Sequence, residues 1–469
     1  MKDSRREFIK RAAWSAAGFT IVPRRLIAQS GQTPPSETIR LAAIGCGNMA
    51  WGDIQGLAGD GSLFVGLCDV DERQAVAARK RFPDASFFRD FRVMLDRLDK
   101  QIDAVLVATP DHTHAVAAMA AITRGKHVYC EKPLAHSVGE VRALMRAARR
   151  HNVITQLGNQ EHASETIRVF KEWIQAGLLG TVREIHCWAP AVYSRIDHLD
   201  VLKESHAIPN ELDWDLWLGP SQPRLAYNPA IHPRAWRHWA PYGTSTTGDW
   251  MCHVLDPSFW ALNLGAPAAV TAEEVGDWDP VTHALTFPKG DIIRYDFPAA
   301  NGRAPVTVRW YDGLCAAKVP RPDGLEPDRP FSAHGDAKEN RSPGAVVYGD
   351  KGVLIHGSHG AGGLRIVPEA TMRELKESGA LPPKSLPRVK GGHRKEWLQC
   401  IRDNTPAGSD FAAYGGPLSE IALLGIAALQ EPGKTLRWDA AACAFTNSKA
   451  ATAKLNSSYL PGWSPRAPA

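Results

Sequence analysis

The sequence predicts a two-part α/β chain: a doubly wound parallel sheet, then an α+β domain built on a large, mainly antiparallel open sheet. Three observations carry this. Short apolar runs alternate with helical patterns from residue 38 to residue 157, as repeated βαβ units require. From Gly158 the chain turns aromatic and proline-rich, with alternating strand patterns that suit strands with one packed and one open face. A length of 469 residues with 44% hydrophobic content also exceeds one typical core.

In the first part, strands are expected at 39–44, 63–69, 104–108, 127–130 and 153–157, with helices at 72–81, 115–124 and 138–150. In the second part, strand patterns occupy 182–188, 292–297, 306–310 and 435–438, and helical patterns 393–402 and 418–429. Residues 320–342 are rich in Pro, Gly and charge and read as a surface loop. The divisions are a leader over 1–30, a linker over 31–37, the parallel domain over 38–157, the α+β domain over 158–440 and a tail over 441–469.

The leader reads as an export signal. Ser4-Arg5-Arg6-Glu7-Phe8-Ile9-Lys10 is a twin-arginine motif, followed by the weakly apolar run Ala12 to Val22 and by small residues near Ala28 and Ser30 for cleavage. Pro23-Arg24-Arg25 stops the apolar run far short of the ~20 residues that span a bilayer. No other stretch reads as a membrane helix, so no stable membrane anchor is expected. Passage through the twin-arginine machinery in folded form would place the protein in the periplasm with its cofactor already loaded.

Formal net charge is +5, but residues 1–30 hold seven Lys or Arg against Asp3 and Glu7. The mature chain is therefore near neutral, which removes the case for nucleic-acid binding. The eight cysteines are scattered without a Cys-x-x-Cys pair, so few or no disulfides are expected. Eight of the fifteen tryptophans fall between Trp173 and Trp260, which points to an aromatic-lined cleft.

Gly45-Cys46-Gly47-Asn48-Met49-Ala50 follows the first strand and opens a helix. Gly45 permits the tight turn, Gly47 lets backbone approach a pyrophosphate, and the helix N-terminus then holds that anion. Asp69 ends the second strand about twenty residues on, placed to accept from ribose hydroxyls and to repel a 2′-phosphate. The loop therefore predicts a Rossmann domain for NAD in preference to NADP, although Arg73 is placed to reach a 2′-phosphate.

Two further motifs carry chemistry: Cys130-Glu131-Lys132-Pro133 after a strand, and Gly248-Asp249-Trp250-Met251-Cys252-His253-Val254-Leu255-Asp256. Loops at the carboxyl ends of parallel strands form the crevice, so Pro110, His114 and Lys132 converge near the nicotinamide. A lysine there can lose pKa by desolvation and assist proton removal. Asp249 and His253 are four apart and share a helix face, with Asp256 three further on the same stripe. His253 is the natural general base or acid opposite Lys132.

With these motifs and Thr109-Pro110-Asp111-His112-Thr113-His114-Ala115, the chain resembles the Gfo/Idh/MocA oxidoreductases, the family of glucose-fructose oxidoreductase and inositol dehydrogenase. The twin-arginine leader suggests its exported subgroup. The resemblance implies a Lys132/Asp249/His253 catalytic set, a carbohydrate substrate and a homo-oligomer formed through the open face of the second-domain sheet. Candidate cofactor contacts are Gly45, Gly47, Asn48, Met49, Asp69, Thr109, Pro110, His112, His114, Glu131, Lys132, Gln160 and Arg237. Weaker substrate candidates, beside the catalytic three, are His162, Tyr193 and Trp236, with Arg195 and His198 also in reach. Asp111, His112 and His114 also suit a metal, but no further ligands have convincing spacing, and no metal is assigned.

The aromatic segment Leu212-Asp213-Trp214-Asp215-Leu216-Trp217-Leu218-Gly219-Pro220 resembles exported members acting on glycosides, which implies oxidation at C3 to a 3-keto-glycoside by a tightly held NAD. Redox-neutral glycoside cleavage through transient oxidation and elimination is the alternative. A non-catalytic sugar-binding sensor would be expected to lack Lys132 or His253, and both are present.

Overall fold

The computed structural model describes residues 37–59, 61–326 and 342–464. The export leader, nearly all of the linker and the centre of the 320–342 loop lie outside the described residues.

The first domain alternates β1 (Ile39–Ile44), α1 (Met49–Leu57), β2 (Ser62–Cys68), α2 (Val76–Arg81), β3 (Ser86–Phe88), α3 (Phe91–Arg97), β4 (Ala104–Val107), α4 (Asp111–Ile122), β5 (His127–Cys130), α5 (Val138–His151) and β6 (Thr155–Leu157). The six strands are parallel in the order β3-β2-β1-β4-β5-β6. Strand β4 is buried at every position, because helices cover both faces of a parallel sheet. Helix α5 is bounded by its sequence: Ser137 and Glu140 form a capping box, and Asn152 closes the C-terminus at φ 50°. Strand β3 escapes sequence reading because three residues between Asp84 and Arg89 carry no period.

The second domain adds α6 (Glu165–Gln175), β7 (Val182–Ala189), α7 (Trp214–Leu218), α8 (Ser245–Val254), α9 (Asp256–Leu262), β8 (Ala269–Val275), β9 (Asp291–Phe297), β10 (Val306–Asp312), β11 (Gly344–Gly349), β12 (Val353–Gly357) and β13 (Arg365–Val367). It ends with α10 (Glu369–Glu377), α11 (Gly392–Asp403), α12 (Gly416–Ala428), β14 (Leu436–Asp439), β15 (Ala444–Phe445) and α13 (Lys449–Ala453). Nine strands run in the order β13-β12-β11-β7-β10-β9-β8-β14-β15. All pairs are antiparallel except β7 with β10. Burial alternates along β9, with Ile293, Tyr295 and Phe297 turned to the core and Arg294 and Asp296 paired on the other face.

Helices α8 and α12 pack together on the inner face of this sheet. A π turn running into α12 makes Phe411–Ala428 long and apolar enough to cross a membrane, at mean hydropathy 1.3, yet 83% of it is buried. The sequence reading missed this length because Gly415-Gly416-Pro417 reads as a break. It is a core helix, as its burial requires.

Helix α11 returns to the first domain. Trp397 and Leu398 belong to the core formed with Leu41, Leu106 and Tyr129, and His393 lies 2.7 Å from the Leu157 carbonyl. The terminal residues are also docked: Tyr459 donates to Glu140 at 2.8 Å, and Arg92 lies over Trp463 at 4.3 Å. All eight cysteines are free thiols, six of them buried.

Candidate active site

A cleft of about 1040 Å³, its open mouth included, runs along the carboxyl ends of β1, β2, β4 and β5. Gly45 sits at φ 91°, and a Cβ there would lie 2.5 Å from the Ala108 carbonyl oxygen, so the turn admits only glycine. Gly45, Gly47, Asn48 and Met49 line the cleft ahead of α1, whose free N–H groups suit an anion. This cradle fits the pyrophosphate of a dinucleotide.

Asp69 lines the cleft while bracing it: one oxygen accepts from Cys46 N and the other from Asp71 N, both at 2.9 Å. Burial pushes its carboxyl up to about 6, against the pull of those two N–H groups. Arg73 is turned onto Asp71, with Nε and Nη2 each at 2.7 Å, so it is committed away from a 2′-phosphate.

The far wall comes from the second domain. Residues 196–243 form a strap across the ribose end, with Asp213 N donating to Val70 O at 2.9 Å and Glu72 N to Glu211 O at 3.1 Å. His232 Nε2 lies 2.8 Å from the fully buried Asp71. Burial opposes ionisation of Asp71, yet His232 and Arg73 together hold it well below the usual carboxylate range. The strap has its own core, in which Trp214 and Trp217 stack at 4.5 Å.

The predicted aromatic cleft is therefore mostly a packed strap. Of its tryptophans, Trp217 and Trp236 line the dinucleotide cleft, so Trp236 moves from the substrate side to the cofactor side. His112, by contrast, does not line the cofactor cleft. Its Nε2 meets Trp217 O at 2.9 Å, burial drives the ring down to about 3, and it borders a separate cavity.

Thr109, Pro110 and His114 do line the cleft. The His114 ring spans the carbonyls of Pro133 and Thr109 at 2.8 Å each, while Asp111 accepts from Thr244 Oγ1 at 2.6 Å. Asp111, His112 and His114 thus diverge to different partners, and among the described residues no cluster of three metal-capable side chains forms.

Glu131 lines the inner end beside Lys132. Burial, then the nearby Asp53 carboxylate, pushes its carboxyl well above the usual range. Gln160 donates to it at 2.5 Å, so that amide bears on the cleft through Glu131. Asp53 is in turn held by Arg394 of α11 at 2.7 Å.

The reacting end lies where this wall meets α8. Lys132 Nζ donates to Asp249 Oδ1 at 2.5 Å and to its carbonyl at 2.9 Å. Tyr193 donates to Oδ2 at 2.9 Å, and Arg237 Nε lies 3.4 Å from Oδ1. Although burial opposes ionisation, Lys132 and Arg237 hold Asp249 well below the usual carboxylate range. Arg237 also lies over Trp236 at 4.2 Å and lines the cleft, which links cofactor and catalytic sides.

Helix α8 is clamped at its start. Thr247 donates to Asp312 at 2.7 Å and Thr246 to Ala191 O at 2.7 Å. A Cβ on Gly248 would lie 2.1 Å from Thr244 Oγ1. His253, one turn beyond Asp249, is 3% exposed, and burial, then the Lys132 charge, holds its ring neutral well below its ordinary range. Its Nδ1 is buried without a hydrogen-bond partner, and its face stacks on His359 at 4.0 Å.

His162 and Asp256 leave the site. His162 Nδ1 is 2.9 Å from Asp256 Oδ1, and Tyr414 OH is 2.5 Å from the same oxygen. Asp256 opens α9 instead of extending the α8 stripe, and His162 packs between Trp260 and Tyr414. Sequence reading missed His232, His359 and Arg394; only the Gly357-Ser358-His359-Gly360 run carries a local signal, that of a tight loop.

A glycine cradle, an acid at the ribose end and a Lys/Asp/His group at the nicotinamide end define a two-domain, NAD-binding Rossmann oxidoreductase. The family profile described as oxidoreductase family, NAD-binding Rossmann fold, matches residues 39–159, and that of its C-terminal alpha/beta domain matches 165–278. The chain belongs to the Gfo/Idh/MocA oxidoreductase family.

Inositol 2-dehydrogenase of Burkholderia multivorans is 32% identical over 154 residues, which is 32% of this chain and 45% of that one. Levoglucosan dehydrogenase of Pseudarthrobacter phenanthrenivorans is 31% identical over 116 residues, 25% of this chain and 29% of that one. The chain thus spans less than half the length of these relatives. The WlbA dehydrogenase of Bordetella pertussis, solved with NADH and UDP-GlcNAcA, shares the fold at TM-score 0.55 and 16% identity, over 86% of this chain and 98% of that one.

Proposed function

We propose that the protein oxidises a ring carbinol of a sugar or glycoside, at C3, and passes the hydride to an NAD that it retains. The observation that carries this reading is the Lys132–Asp249 pair at 2.5 Å, set between the dinucleotide cleft and the neutral His253. Bound NAD supplies the hydride acceptor. Asp249 orients Lys132, whose Nζ hydrogen-bonds the substrate oxygen as negative charge develops there. His253, held uncharged, takes the hydroxyl proton. Tyr193, on the other Asp249 oxygen, offers a neighbouring hydroxyl a donor and an acceptor.

The names of the relatives support a cyclic polyol or anhydrosugar class. Retention is supported by the strap, because Asp71–His232 closes over the ribose end of the cleft. The occupied side chain of Arg73 and the acid at Asp69 support NAD over NADP. The open sheet face, with Arg309 paired to Glu184 and Glu273, is the surface offered for a homo-oligomer.

Incubation of purified protein with glycosides tests the reaction. A nicotinamide absorbance change with a keto sugar as product is expected; free aglycone with no net cofactor change would replace net oxidation by redox-neutral cleavage. The leader supports a periplasmic location, and replacing Arg5 and Arg6 by Lys is expected to hold the protein in the cytoplasm on fractionation.

A further inference from the structure

A base in a proton-transfer site is usually aimed by a hydrogen bond to its second ring nitrogen. His253 lacks that bond, since its Nδ1 is buried without a partner. What touches its ring is His359, face to face at a centroid distance of 4.0 Å and an interplanar angle of 19°. We propose that His359 is the positioning residue for His253, fixing the plane of its imidazole. This rests on the sugar-oxidation reading for its kinetic consequences, but not for its structural one.

His359 is itself held in place. It has a left-handed backbone at φ 51°, two residues before Ala361 at φ 62°, and non-glycine residues adopt this region only where surroundings enforce it. The enforcement is visible. Ser164 Oγ donates to Gly360 O at 3.2 Å, Gly357 N donates to Gly362 O at 2.7 Å, and a Cβ on Gly360 would lie 2.2 Å from Ser164 Oγ. Ser358 Oγ engages His359 Nδ1 at 2.9 Å, and Trp250 meets its ring edge-on at 5.9 Å.

The loop therefore presents one aromatic face, in a fixed plane, to the base. His359 is kept neutral by burial and then by Lys132, so the stack holds the base without placing a charge against it. The titratable groups facing His253 are Lys132, His359, Asp249 and His393, and those facing His359 are Lys132, Asp249 and Asp256.

The experiment compares wild type, His359→Ala and His359→Phe in the full chain. Levoglucosan and myo-inositol serve as probe sugars, and long-range proton–nitrogen NMR of the histidine rings is assigned with His253→Gln. Removing the stacked face is expected to slow reduction of bound NAD by about 10- to 100-fold with little change in KM, as a misplaced reacting group does. Phe, which keeps a face, is expected to restore most of the rate and to move the acid limb of the pH profile upward, since it cannot carry repelling charge. The single His253 tautomer signal of the wild type is expected to become averaged in His359→Ala.

A wild-type rate in His359→Ala, or an unchanged His253 signal, overturns the proposal. An averaged His253 signal upholds it even if neither wild type nor variant oxidises either probe, a result that counts against the sugar reading alone.

Discussion

His232 and Asp71 meet at 2.8 Å across the two domains, and Asp71 has no exposed side-chain surface. The contact closes the strap over the ribose end of the cofactor cleft. Cutting it leaves Asp71 with Arg73 alone. His232→Ala is expected to release NADH roughly 10-fold faster or more, with a loss of about 1–3 kcal/mol of stability from the weakened buried carboxylate. A displacement assay with excess NAD reads the first effect, and mass spectrometry of natively purified protein reads the cofactor occupancy.

Lys132 and Asp249 are predicted to fail differently. Lys132→Ala removes the group that stabilises developing charge, and a fall of about 10²–10⁴-fold in kcat is expected. Asp249→Asn keeps the shape but leaves Lys132 and Arg237 without their carboxylate, so thermal stability drops along with activity. Single-turnover reduction of bound NAD and a melting curve separate the two. Wild-type turnover by Lys132→Ala would remove it from the reaction.

Asp291 and Asp312 are buried together under α8, and each carboxyl is raised by burial, Asp312 to about 6 and Asp291 well above the ordinary range. The folded state therefore holds protons that an unfolded chain, with aspartate near 3.9, has already released. Stability from this pair is full below about pH 4 and is lost as pH rises through about 6. Asp291→Asn removes one of the charges. It is expected to raise the melting point at pH 8, by roughly 1–3 kcal/mol of stability, with little effect at pH 4.

Asp69→Ala should loosen the glycine loop, because Cys46 N loses its acceptor at 2.9 Å. Weaker NAD binding, by about 10-fold or more, and a narrower NAD-to-NADP ratio are expected. Arg73→Ala should leave that ratio nearly unchanged, since its guanidinium is spent on Asp71. Titration of nicotinamide fluorescence with both cofactors checks the pair.

What the sequence carried and what it withheld follow from the range of the interactions. The Gly45 turn and the Asp249–His253 spacing are local, fixed within about one helical turn, and were legible as strings of residues. His162 and His112 looked equally chemical in sequence, yet they serve Asp256 and Trp217, 94 and 105 residues away. His359 reaches His253 from a loop after β12, and no local pattern announces a contact of that range. The tryptophans of 212–239 misled for the same reason: they suggest an aromatic-lined cleft, but pack mostly against one another.

The return of α11 to the first domain makes the Rossmann unit dependent on the distal chain. Trp397 is completely buried and donates to the Ile154 carbonyl at 3.3 Å, and Arg394 holds Asp53 under the cofactor loop. Residues 38–157 therefore do not close their own core: α11 supplies Trp397 and Leu398 to it. The core behind the NAD cradle is thus completed by residues that lie more than two hundred positions after the Rossmann segment.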